Sequence, residues 1–227
     1  MKKWYIVGII IMIILAMISG LFLFLNMHPS ETIGSNSIGY VTKNTHSFHN
    51  DSDKKIAIVS GMHPRETLST FVLPEVAKFY ALFNNVEIVN YKVTVLDNPE
   101  NFTIGRRNGE ILVRDFVVND VAKEDFGLVI IGHDHEPGYG EGFYIATPSM
   151  DAKSLDLAEK VMRDLPDFRH YKRDRESPPK SPSIKRVNNP IVATETPLFV
   201  YEIPEWYSFF EAFLKSYGLI DASFKNI

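Results

Sequence analysis

Gly61-Met62-His63-Pro64-Arg65-Glu66 follows directly on the apolar run Ile56-Ala57-Ile58-Val59. Together they read as a buried strand that turns into the start of a helix. A His and a Glu three residues apart at such a junction make a metal-ligand pair. Imidazole nitrogen and carboxylate oxygen both suit first-row ions, and the i, i+3 spacing on an opening helical turn points them the same way. The pair is also what a surface His followed by a helix-initial Glu looks like, since a carboxylate there favours the macrodipole. The decision therefore rests on whether the chain supplies a third ligand, a base and an oxyanion donor at other strand ends.

The chain has 227 residues, room for one sizeable domain and an appendage. Its net charge of −4 argues against a nucleic-acid partner. With no cysteine in the sequence, a disulfide framework and a thiolate zinc site are both excluded, so any metal is held by His, Asp and Glu.

Lys2-Lys3 precede Trp4–Leu25, a run of 22 uncharged residues dominated by Ile, Leu, Met and Phe. At 1.5 Å per residue such a run crosses a hydrocarbon core of ~30 Å. Trp4 and Tyr5 suit an interfacial belt, and no Lys or Arg follows until Lys43. The expectation is an uncleaved signal anchor at residues 4–25 in a lipid bilayer, a cytoplasmic tip at 1–3, and the remainder outside the cell membrane. A cleavable signal peptide is the competing reading, although its apolar region is normally only ~7–15 residues long. Residues 26–54, rich in Ser, Thr, Asn and Gly, read as a flexible tether, with His28, His46 and His49 in it solvated.

The catalytic domain is expected at 55–227. Lys55–Ser60 reads as a strand and Glu66–Phe83 as a helix, with Leu68, Val72, Val76 and Phe79 among its periodic apolar positions. Val86–Asn90 and Lys92–Leu96 read as two strand segments, followed by a turn at Asp97–Asn101. Leu128–Ile131 is another buried strand, ending in Gly132-His133-Asp134-His135. Asp151–Leu165 is an amphipathic helix, Leu198–Ile203 a strand and Trp206–Tyr217 a closing helix. Between them, residues 166–190 form a long polar segment with seven Lys/Arg and five Pro. Short apolar strands alternating with helices imply a three-layer α/β/α domain with a mixed, mainly parallel sheet. Ligands gather at the carboxyl ends of strands in such sheets. Three strand ends here carry ionisable groups: His63 with Glu66, His133, and Glu202 in Phe199-Val200-Tyr201-Glu202-Ile203-Pro204.

Gly-Met-His-Pro-Arg-Glu (61–66), Gly-Leu-Val-Ile-Ile-Gly-His (127–133) and Phe-Val-Tyr-Glu-Ile-Pro-Glu (199–205) resemble, in order and separation, the zinc-binding and catalytic segments of the zinc carboxypeptidase superfamily. Within it the likeness is closer to the succinylglutamate desuccinylase/aspartoacylase branch. There an Asn-Pro turn leads to an Arg, and a second Arg follows eight residues on, as Asn98-Pro99, Arg106 and Arg114 do here. The resemblance covers roughly 55–210 and implies one Zn²⁺ per chain on His63, Glu66 and His133. It implies Glu202 as general base and Arg106 at the oxyanion, with Arg107 as the alternative. Arg114 would grip a substrate carboxylate, or instead pair with Asp115 or Asp120. His133 stands where the family's strand-terminal His stands; His135 would line the pocket or bond to a ligand's carboxylate partner. Tyr171 is the counterpart of a substrate-contacting loop Tyr, and the 169–186 segment would cover the site.

The family's Asp and Asn before the second Arg are Ile111 and Val113 here, and the β-rich C-terminal domain of the aspartoacylases has no counterpart. Substrate specificity of that branch is therefore not carried over. The reading is a membrane-anchored zinc hydrolase of amide bonds, acting like a carboxypeptidase on a peptide or small amide with a free carboxylate. The alternatives are a non-catalytic peptide or envelope binder and an N-acyl amino acid deacylase.

Overall fold

The protein is described by a computed structural model over residues 2–26, 30–49, 52–174 and 181–227. Its centre is β3 (Lys55–Ser60), buried along nearly its whole length because it is flanked on both edges and covered on both faces. Parallel neighbours β4 (Glu87–Val95) and β5 (Leu128–His135) pair with it, and β8 (Leu198–Pro204) pairs parallel with β5. Outer strands complete the sheet on both sides. β1 (Ser30–Asn36) and β2 (Gly39–His46) lie beyond β4; β6 (Tyr144–Ala146) and β7 (Arg169–Tyr171) lie beyond β8, in the order β1-β2-β4-β3-β5-β8-β6-β7. β2 runs antiparallel to β4, and β6 antiparallel to β8.

Two helical layers cover this sheet. Ile56, Ile58 and Ile130 point to the layer of α2 (Thr67–Phe83), α5 (Ala152–Asp164) and α7 (Phe209–Asn226). Ala57, Val59 and Ile131 point to the opposite layer, built from α3 (Phe102–Leu112), a π-helical turn at Val113–Val117, α4 (Val118–Val121) and α6 (Asn189–Val192). The alternation of neighbours between two cores is the period-2 consequence of a strand buried on both faces. The expected three-layer architecture is observed, and its sheet is mixed.

Several expectations are corrected. Residues 30–46 are not a tether but two strands of the sheet, so the domain starts at Ser30 rather than Lys55. Their polar composition is that of an edge: β1 is largely exposed, and Thr and Asn occupy its solvated side. His46 is buried at the end of β2, while His49 is exposed, with its Nε2 3.1 Å from the Leu82 carbonyl; His28 lies outside the described residues. The two segments around residue 91 are one strand, because Tyr91 continues the pleat with its ring fully buried and its hydroxyl donating to Asp120 at 2.6 Å. The 169–186 stretch contributes β7 and a π-helical turn at Ile184–Asn188.

Lys2–Asn26 forms one 25-residue helix, α1. Among the described residues no helix is long and apolar enough to cross a membrane.

Candidate metal centre

At the carboxyl end of β3 the chain must leave the sheet at once, and Gly61 does this with φ +75°, a conformation in which a side chain would be strained. The turn delivers His63, and α2 begins after Glu66. The N-terminus of α2 is capped from another strand: the Asp134 carboxylate of β5 accepts from Leu68 N and Ser69 N, both at 2.7 Å. Glu66 itself makes no capping bond and is free to point into the site. Asp134 and His133 are adjacent in β5, so they project to opposite faces. One anchors the helix that carries Glu66, and the other meets Glu66 across the site.

The meeting is close. His63 Nδ1 lies 2.9 Å from Glu66 Oε1 and His133 Nδ1 lies 2.6 Å from Glu66 Oε2, with the two imidazole rings 4.3 Å apart. Ligand atoms of His63, Glu66 and His133 all fall within 4.8 Å of one another, the one such His/Asp/Glu group among the described residues. Burial alone would push the Glu66 carboxyl up, but His133 and His63 outweigh it and hold it far below the usual range. Burial likewise opposes charge on His63, and Glu66 and Glu110 overcome it, so its pKa is raised. Two imidazole nitrogens and a carboxylate converging in a nearly dry setting are the donor set and open geometry that a catalytic zinc takes.

Glu202 faces the same space. It is the register partner of His133 in β8 and of Tyr144 in β6, so three neighbouring strands present His133, Glu202 and Tyr144 side by side. Burial pushes the Glu202 carboxyl up to about 7, with His133 pulling the other way and Glu66 adding to the rise. A carboxyl that titrates near neutrality is poised to accept a proton and return it. Arg106 Nη1 donates to Glu66 Oε1 at 2.8 Å, which brings a guanidinium to the rim of the cluster.

A cleft of about 570 Å³ opens over these groups, lined by His63, Arg65, Glu66, Arg106, His135 and Glu202, with Phe102 and Tyr139 at its walls. Arg65 and Arg106 both lie over the Phe102 ring, at 5.9 and 5.2 Å. His135 is in the cleft wall, its Nε2 3.0 Å from the Gly142 carbonyl, apart from the three converging groups. The other expected substrate residues are placed elsewhere. Arg114 is 48% exposed and binds its neighbour Asp115 at 2.7 Å. Eight α-helical steps turn the chain by about 80° relative to Arg106, enough to take Arg114 off its face. Arg107, one residue from Arg106, points to solvent. Tyr171 packs edge-on against Tyr144 at 4.5 Å and does not line the cleft.

Glu110 is the residue that sequence reasoning missed. It is 4% exposed and follows Arg106 by four residues, hence on the same face of α3. Its Oε1 lies 3.8 Å from His63 Nε2, the nitrogen turned away from Glu66. Burial pushes the Glu110 carboxyl up, but His63, the hydrogen bond from Ser183 and the charge of Arg186 hold it down at about 2. The i, i+4 spacing to Arg106 would have shown it, had 102–112 been read as a helix.

No family model matches the chain, and no curated protein sequence matches it. Solved structures do. A metallo-carboxypeptidase from Burkholderia cenocepacia superposes with TM-score 0.60 at 12% identity, over 91% of this chain and 66% of that one. One from Pseudomonas aeruginosa, in complex with (2-guanidinoethylmercapto)succinic acid, gives 0.58 at 12%, over 90% and 66%. The tripeptide-bound cell shape determinant Csd4 from Helicobacter pylori gives 0.51 at 12%, over 82% and 56%. This chain thus spans about two thirds of the length of the carboxypeptidases it superposes on. Its fold is that of these metallo-carboxypeptidases.

Proposed function

We propose that the chain is a zinc-dependent hydrolase of amide bonds that acts on peptides with a free carboxylate. The observation that carries this reading is the convergence of His63, Glu66 and His133 on one point, with Glu202 beside His133. His63, Glu66 and His133 would hold the zinc, which would supply Lewis-acid activation of a water and of a scissile carbonyl. Glu202 takes a proton from the attacking water and delivers it to the leaving amine, a role its near-neutral titration suits. Arg106 donates to the oxygen on which negative charge develops. Arg65, stacked with Arg106 about Phe102, is placed to hold a carboxylate in the cleft. The substrate class is supported by the tripeptide on the Helicobacter protein and the succinic acid derivative on the Pseudomonas enzyme.

The proposal includes membrane attachment through α1, with the cytoplasmic end at Lys2-Lys3 and the domain on the outer side. It is supported by the sequence, which carries no charge from Trp4 to Leu25. The displaced Arg114 favours a second reading, a binder that does not turn over its peptide. One experiment separates the two. The purified full chain is expected to hold about one zinc by elemental analysis and to release amino acids from peptides. Glu202→Gln should keep the zinc and abolish turnover. Absence of zinc would overturn the hydrolase, and undiminished turnover in the variant would overturn the assigned base.

A further inference from the structure

Ser183 and Arg186 lie in the polar stretch between β7 and β8, next to α3. Val187 and Ile191 bury the segment against the second core, and Ser183 and Arg186 turn toward Glu110. The Ser183 hydroxyl donates to Glu110 Oε1 and Arg186 Nη1 donates to Glu110 Oε2, so both carboxylate oxygens are held from behind. In front of Glu110 stands His63, whose Nε2 is buried, has no hydrogen-bond partner and lies 3.8 Å from Oε1. A His that ligates a metal through one nitrogen is oriented by what faces its other nitrogen. Here the facing group is a carboxylate that cannot turn away without breaking two bonds to a segment more than 70 residues along the chain.

We propose that Ser183 and Arg186 are positioning residues that aim His63 Nδ1 at the metal by fixing the Glu110 carboxylate. This rests on the zinc reading above and adds to it that metal affinity is set partly by the Ser183–Arg186 segment. Held in place, the Glu110 carboxylate 3.8 Å from Nε2 favours the proton on that nitrogen and keeps it off Nδ1, the nitrogen that faces Glu66. Released, Glu110 is free to swing toward solvent, and the imidazole loses both its tautomeric bias and its aim.

The test is zinc affinity of the full chain, measured by competition with a chelator, with the melting temperature of the metal-free chain as the folding control. Arg186→Met should weaken zinc about ten-fold, and Glu110→Gln about 10–100-fold. Arg186→Lys, which keeps a cation at the spot, should restore most of the loss. Arg186→Met added to Glu110→Gln should weaken zinc no further, because the arm it acts through is already cut. Unchanged affinity in Arg186→Met overturns the latch, as does an equal loss with and without Glu110→Gln, which would mark a general structural effect. If Arg186→Met does not fold, Ser183→Ala is the milder cut of the same arm, expected to weaken zinc several-fold. An intact chain that takes up no zinc overturns both this inference and the hydrolase. A zinc-binding chain with an indifferent Arg186 overturns this inference alone.

Discussion

At the scale of single residues, the site is a small set of charges held where water is scarce. Glu66 is shared by two imidazoles and a guanidinium, and such a carboxylate cannot lose one partner without exposing the others to uncompensated charge. The same setting separates the arginines. Arg106 touches the cluster, while Arg114 is on the surface with Asp115. Arg106→Ala is therefore expected to lower kcat/KM by about 10²–10³-fold, as removal of one oxyanion donor does. Arg114→Ala should leave it nearly unchanged; steady-state kinetics of both variants checks the assignment. The reverse pattern would return the substrate role to Arg114 and remove it from Arg106.

At the scale of elements, the site depends on three junctions: β3 into α2, α3 against that turn, and β5 against the start of α2. A Cβ at Gly109 would collide with the Met62 carbonyl, so α3 approaches the turn before His63 as closely as its backbone permits. Asp134 supplies the cap that α2 lacks locally. Asp134→Ala should cost about 1–2 kcal/mol, the range for loss of a capping carboxylate, read as a shift of the denaturation midpoint at unchanged slope. The same variant should weaken zinc, because Glu66 is on the first turn the cap secures. A stability loss with intact affinity would show that Glu66 is held by its imidazole partners alone.

At the scale of the whole molecule, β1 is the first strand after α1. Ser30 pairs with Asn44, Asn44 with Asn90 and Asn90 with Ile58, and β1 runs the same way as β3. The chain thus enters the sheet level with Ile58, two residues before the carboxyl end of β3. The anchor proposed for α1 is measurable. In proteoliposomes the full chain is expected to stay with the membrane fraction through a high-salt wash. Recovery of the chain outside the membrane fraction would overturn the anchor. By itself the sequence determined β3, α2, β5, β8 and the order of His63, Glu66, His133 and Glu202, because apolar periodicity and ligand spacing are local properties of the chain. It did not determine β1 and β2, whose polar residues suit a sheet edge as well as a tether, nor α3, whose Gly105 and Gly109 weaken the helical signal yet permit its close approach. Only the tertiary structure decided that Glu110 stands behind His63 and that Arg114 does not reach the cleft. Both depend on how α3 is rotated against the sheet, and that rotation is set by packing rather than by spacing in sequence.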